Sequence, residues 1–160
     1  MEFERVNLNK DILIEIKKID DIFYKDDNTT LDWYLERYTD KHIGYLIKDN
    51  GKIVGYIVSV PIKKVLYNAL INGVLVNDIN INPDMFITRS RYNYIVSFVM
   101  LPEYRHKGLG TKLIKSIIKN VKRGYYCALA ISKEGNALSG KFMKLKKKIN
   151  EDISVYEIKL

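Results

Sequence analysis

The chain has 160 residues, 47% hydrophobic and 29% charged, with a formal net charge of +8 and a single cysteine. This length reads as one domain, residues 1–160, able to bury about two thirds of its unfolded surface. No apolar run nears the ~20 residues that cross a bilayer, the opening "MEFERVNLNK" lacks a signal-peptide core, and the lone Cys127 excludes an internal disulfide and fits a reducing cytoplasm.

Residues 10–24 place Ile12, Ile16, Ile19 and Phe23 at spacings of three and four, which predicts an amphipathic helix. A second, short helix is expected over 30–38, capped by Thr30, with Leu31, Tyr34 and Leu35 on one side. "IGYLIKDNGKIVGYIVSV" reads as two strands joined at Asp49-Asn50-Gly51, a turn that requires positive φ. Pro61 ends the second strand. Val65, Leu66, Ala69 and Leu70 then predict a helix closed by Gly73, and a mixed polar and apolar loop runs on to residue 90. "YNYIVSFVML" is a largely buried strand stopped by Pro102.

Leu109, Leu113, Ile114, Ile117, Ile118 and Val121 define one face of a following helix, which Gly124 ends. "YYCALAIS" is another buried strand, 135–148 reads as a short helix, and "ISVYEIKL" is a last strand. The order of elements gives a single α/β domain. Lys112, Lys115, Lys119, Lys122, Arg123, Lys141, Lys144, Lys146, Lys147 and Lys148 concentrate the positive charge in the last third. Such a face suits a polyanion, but solvated helix surface accounts for it equally well. The lysines lack interleaved aromatic groups for base stacking, so no nucleic-acid partner is expected, and no membrane partner either.

The chemistry concentrates in Arg105-His106-Lys107-Gly108-Leu109-Gly110-Thr111, between a strand and a helix. The first turn of a helix offers unpaired N–H groups and partial positive charge. Glycine lets an anion approach that backbone without a Cβ in the way. The spelling excludes a P-loop, because Thr111 and Lys112 stand in reverse order after Gly110. It also excludes the dinucleotide fingerprint, because Leu113 stands where a third glycine belongs.

Arg-x-x-Gly-x-Gly after a strand ending in Leu101-Pro102-Glu103-Tyr104, with the Asp-Asn-Gly hairpin upstream, resembles the GNAT superfamily of acyl-CoA-dependent N-acyltransferases over roughly 40–160. The resemblance implies a GNAT-like α/β fold: a central mixed, twisted sheet flanked by helices, here with an insertion (61–90) between the third and fourth strands. It implies acetyl-CoA as co-substrate and a primary amine, on a small molecule or peptide, as acceptor. Backbone amides of His106, Lys107, Gly108, Leu109, Gly110 and Thr111 would cradle the pyrophosphate, with Arg105 adding charge and loop structure. The main chain of Val99, Met100 and Leu101 would pair with the pantetheine arm. Asn136 and Ser139 fall at the family's Asn-x-x-x-small positions, although Asn136 also reads as a helix N-cap.

The resemblance also implies monomers or dimers; His42, His106 and Cys127 have no metal-ligand spacing, so no metal is expected. The family's usual proton-donating tyrosine position is Met143, so either Tyr125 or Tyr126 on the adjacent strand substitutes, or the thiolate leaves without a dedicated acid or takes its proton from water. The family's base positions on the central strand hold Tyr94 and Val96, leaving Tyr94 or a water to remove the proton. Tyr94 and Tyr126 are therefore the catalytic candidates, and the alternative is a domain that binds acyl-CoA without turnover. Asp20-Asp21, Asp26-Asp27, Asp78 and Asp84 are candidates for attracting a cationic amine, and Trp33 is expected in the core or at a pocket edge. Cys127 is expected to be inert core.

Overall fold

The computed structural model describes residues 1–24, 29–120 and 123–160. The strands are β1 (Glu2–Val6), β2 (Ile43–Asp49), β3 (Lys52–Pro61), β4 (Tyr92–Met100), β5 (Tyr125–Ala130), β6 (Lys144–Lys148) and β7 (Ser154–Lys159). The helices are α1 (Lys10–Phe23), α2 (Leu31–Arg37), α3 (Lys64–Ile71), α4 (Leu109–Ile118) and α5 (Lys133–Phe142). One mixed sheet has the order β1-β2-β3-β4-β5-β7-β6. β4 and β5 pair in parallel, while β1 with β2, β5 with β7 and β6 with β7 are antiparallel. The chain divides into two compact units, Met1–Val58 with Ser97–Ile117, and Ser59–Val96 with Ile118–Leu160.

In the first unit, Asn9 caps α1 by accepting from the Ile12 N–H at 3.0 Å, and Thr30 caps α2 through the Trp33 N–H at 3.2 Å. Each such cap is worth about 1 kcal/mol. α1 buries Leu13, Ile16, Ile19 and also Asp20, whereas Ile12 and Phe23 are half-buried. α2 buries Tyr34 and leaves Leu35 exposed, because it rests on its tyrosine edge rather than on its leucines. The hairpin turn has Asn50 at φ 49° and Gly51 at φ 77°, the backbone that its sequence demands. The N-terminal strand β1 was not legible as a strand. Its alternation of Glu2 and Glu4 with Phe3 and Arg5 lacks an apolar face, and pairing with β2 extends it, aided by a Phe3–Tyr45 ring stack at 5.6 Å.

In the second unit, a core of Val60, Ile62, Leu66, Tyr67, Leu70, Ile81, Phe86, Tyr94 and Cys127 is sealed from solvent. The expected helix over 62–73 is α3, closed by Gly73 N–H to Leu70 O at 3.0 Å and Val74 N–H to Ala69 O at 2.9 Å. Val65 faces solvent. Two short 3-10 turns, Asp78–Asn80 and Pro83–Met85, complete the segment before β4. The expected helix over 135–148 is corrected in part. α5 starts earlier, at Lys133, and ends at Phe142, and the lysine run is strand β6. α4 stops at Ile118 rather than at Gly124, and Val121 and Lys122 lie outside the described residues.

Candidate active site

β4 carries the first unit's site. Leu101 N–H bonds Val54 O at 3.0 Å, continuing the ladder towards β3. Peptide groups alternate along a strand, so the Met100 N–H and carbonyl point to the opposite edge. The register of β4 with β5 covers Tyr92 to Ile95, and Ser97–Met100 lies beyond it. Val99 and Met100 are buried, Leu101 half-buried. Gly55 makes room for Met100: a Cβ there would stand 2.5 Å from its Cε and 3.3 Å from the Val99 carbonyl.

The turn after β4 is braced from three directions. Pro102–Tyr104 forms a 3-10 turn through Tyr104 N–H to Leu101 O and Arg105 N–H to Pro102 O. The Tyr104 hydroxyl donates to Asp49 at 2.8 Å, tying the turn to the hairpin, and this bond pushes its pKa up. Arg105 Nε donates to the Met100 carbonyl at 3.0 Å, and its guanidinium lies 5.5 Å from the centre of the Phe23 ring. Arg105 therefore holds the loop's shape with one donor while bringing charge to it.

His106 and Gly108 take left-handed backbone at φ 61° and 75°. A Cβ on Gly108 would meet nothing within 4 Å, so the space beside this backbone is open. The first α4 bond runs from Lys112 N–H to Gly108 O at 3.1 Å. The N–H groups of Leu109, Gly110 and Thr111 therefore precede any intrahelical acceptor and project from the helix start. Lys107 lies over the Tyr104 ring at 5.2 Å and Lys112 over Phe3 at 4.5 Å, adding positive charge around the loop. His106, Lys107 and Gly108 are exposed. An anion-binding cradle of backbone donors, open space and cationic side chains results.

The other expected residues belong to the second unit. Tyr94 and Tyr126 are 2% and 1% exposed, packed as core rings. Asn136 sits in the first turn of α5, where its amide donates to Ser132 O at 2.8 Å and Asp152 O at 2.7 Å and accepts from Tyr156 Oη at 3.0 Å. The reading of Asn136 as N-cap is corrected: Ser132 is the cap, accepting from Gly135 N–H at 3.0 Å. Ser139 is half-buried and Met143 buried at the helix end. Cys127 is fully buried, and burial pushes its thiol pKa up, so it lacks thiolate character. Among the described residues no group of His, Cys, Asp and Glu is placed to hold a metal, and no helix is long and apolar enough to cross a membrane.

One arrangement escaped the sequence. Asp20, expected on an acidic surface patch, is 4% exposed and accepts from the Tyr34 hydroxyl at 2.5 Å and from that of Tyr56. Asp21 is the surface member, paired with Lys17 at 2.7 Å. Asp26 and Asp27 lie outside the described residues. Asp20's position beside Ile16 and Ile19 on the helix stripe was the available signal. Trp33 is half-buried, with the Arg37 guanidinium 4.7 Å from its ring.

A central strand that turns through a glycine loop into a helix start, on a mixed sheet flanked by helices, defines the class: a GNAT-like α/β protein. The model of the GNAT acetyltransferase family matches residues 13–145, and the chain belongs to that family. Solved structures agree on the fold. The loading GNATL domain of CurA from Lyngbya majuscula superposes with a TM-score of 0.68 at 13% identity, covering 99% of this chain and 98% of that one. PaiA N-acetyltransferase from Thermoplasma acidophilum, in complex with coenzyme A, gives 0.59 at 13%, covering 100% of both chains. The GphF GNAT-like decarboxylase, in complex with isobutyryl-CoA, gives 0.72 at 9%, covering 99% of both. No curated protein matches the chain significantly.

Proposed function

We propose that the chain is an N-acetyltransferase that moves acetyl from acetyl-CoA to a primary amine of a small molecule or peptide. The observation that carries this reading is the loop at 105–111. Its left-handed Gly108 leaves open space where a Cβ would sit, directly before three helix-start N–H groups. These donors, with His106 and Lys107 main chain and the Arg105 charge, suit a pyrophosphate. Bound there, acetyl-CoA supplies an activated thioester. The edge of β4 at Val99–Leu101 is proposed as the strand with which the arm pairs, and the Met100 N–H as the donor that polarises the thioester carbonyl. Asn136 and Ser139 are proposed to border the arm. The engagement of both Asn136 amide hydrogens supports a bracing part, with one remaining lone pair for the cofactor.

Calorimetry with acetyl-CoA, and thiol release with butylamine, a lysyl peptide and a glycyl peptide, test the proposal. Binding with turnover of at least one amine is expected, and absence of binding at millimolar acetyl-CoA would refute it. The buried Met143, where the family's tyrosine stands, favours a second reading as an acyl-CoA-binding domain without turnover. Tight binding with no transfer to any amine distinguishes that reading.

A further inference from the structure

Asp20 takes no part in the cofactor cradle, yet among the described residues of the first unit it is an acid buried on the inner face of α1. Burying a carboxylate costs several kcal/mol unless hydrogen bonds replace its water. Two phenols supply them: Tyr34 of α2 donates to Oδ2 and Tyr56 of β3 to Oδ1. An ionised carboxylate only accepts, so Tyr56 gives its single hydrogen to Asp20. Its oxygen then accepts from Ser97 Oγ, 2.9 Å away on β4. With its own hydrogen directed at Tyr56, Ser97 is left with lone pairs to present. Ser97 is half-buried and stands on β4 three residues before Met100, whose N–H is the donor proposed for the thioester.

We infer that Ser97, Tyr56 and Asp20 form a relay that takes the ammonium proton from the acceptor amine, an inference that rests on the acetyltransferase reading. An N–H bond of the ammonium breaks and an O–H bond forms on Ser97. The hydrogen of Ser97 passes to the Tyr56 oxygen, and that of Tyr56 to Asp20 Oδ1. The amine is left neutral with its lone pair, Ser97 and Tyr56 are regenerated, and Asp20 becomes an uncharged acid. Loss of the buried charge offsets part of the cost of deprotonating the amine.

The surroundings suit transfer along the chain. Burial, then the Asp20 charge, push the Tyr34 and Tyr56 phenols well above their ordinary 10.0, so both stay protonated at neutral pH and Tyr56 gives up its hydrogen only as it receives that of Ser97. Facing them from α2 and the segment beyond are Tyr38, stacked on Tyr34 at 5.4 Å, and His42, 5.2 Å from Tyr38 and held neutral by burial. From α1, Lys17 lies 6.0 Å from the Tyr34 ring centre and is paired with Asp21.

The test compares wild type with Ser97→Ala and Tyr56→Phe in acetyl transfer to the three amines above, across pH. Ser97→Ala leaves both phenol bonds to Asp20 in place, so it separates relay from folding. A fall in kcat of about a hundredfold near neutral pH is expected, with KM for acetyl-CoA unchanged. Recovery should follow as rising pH deprotonates the amine in solution. No loss, or an equal loss at every pH, overturns the relay. If wild type transfers acetyl to none of the amines, the acetyltransferase reading falls, and the carboxyl carbon-13 signal of Asp20 decides the relay alone. That signal should shift in Ser97→Ala, where the bond at the Tyr56 oxygen is lost and both phenol bonds to Asp20 remain. A signal indifferent to Ser97→Ala overturns it.

Discussion

At residue 108 two demands can be separated, because the position is strained for a side chain yet has room for one. Its φ of 75° is left-handed, where an L-residue loses about 1–2 kcal/mol. Its Cβ would touch no protein atom within 4 Å. Gly108→Ala is therefore expected to lower stability by about 1 kcal/mol, read from the urea midpoint, without breaking the fold. The proposed ligand needs that same open space, so acetyl-CoA affinity should fall more than tenfold by calorimetry. Unchanged affinity in the folded variant would mean that the pyrophosphate does not lie against this backbone. His106 already bears left-handed backbone as a non-glycine at φ 61°, so the turn tolerates strain where the side chain points to solvent.

Elements were legible in the sequence where backbone geometry dictates residue type. Asn50-Gly51 could be read because positive φ selects a short list of residues, and the 105–111 turn because its glycines stand directly before a helical apolar stripe; the hairpin turn and the helix start lie where they were expected. β6 could not be read this way. "KLKKK" has no strand propensity, and its conformation comes from pairing with β7, Lys144 opposite Glu157 and Leu145 opposite Tyr156. All five of its residues are exposed, as suits lysines on an edge strand. The Asp20 chain was hidden for a different reason: it joins residues 20, 34, 56 and 97, and no local pattern shows which of twelve tyrosines face one acid. α5 ends at Phe142 rather than continuing, and Gly140 inside it is a liability. A Cβ there would meet nothing within 4 Å. Gly140→Ala should therefore raise stability by about 0.5–1 kcal/mol in urea unfolding. A destabilised variant would show that Gly140 serves something other than the helix.

For the whole molecule, stability against pH should form a plateau with a different set of groups at each edge. On the acid side, burial pushes His42 from its ordinary 6.5 down to about 4, and its Nδ1 accepts the Thr39 N–H at 3.1 Å, a bond only the neutral ring can receive. The folded state thus binds fewer protons than the unfolded one between those values. Its contribution is complete above about 6.5 and is lost as pH falls towards 4, by on the order of 3 kcal/mol. On the alkaline side, burial raises Cys127 above its ordinary 9.0 and Tyr34, Tyr56 and Tyr67 above 10.0, with Glu157 reinforcing the shift at Tyr67 through a hydrogen bond. These groups favour the folded state while protonated, so their contribution is full below about pH 9 and declines as pH rises further. The two edges can be uncoupled by mutation. In His42→Asn the amide oxygen can still accept from Thr39, but nothing titrates near 6.5 at that position. Whatever stability the variant loses overall, its urea midpoint should be flat between about pH 6.5 and 4.5, where wild type falls, and its alkaline edge should coincide with wild type. If the acid slope persists in His42→Asn, the protons taken up on unfolding belong to the carboxylates instead, and the buried imidazole does not set the acid limit of the fold.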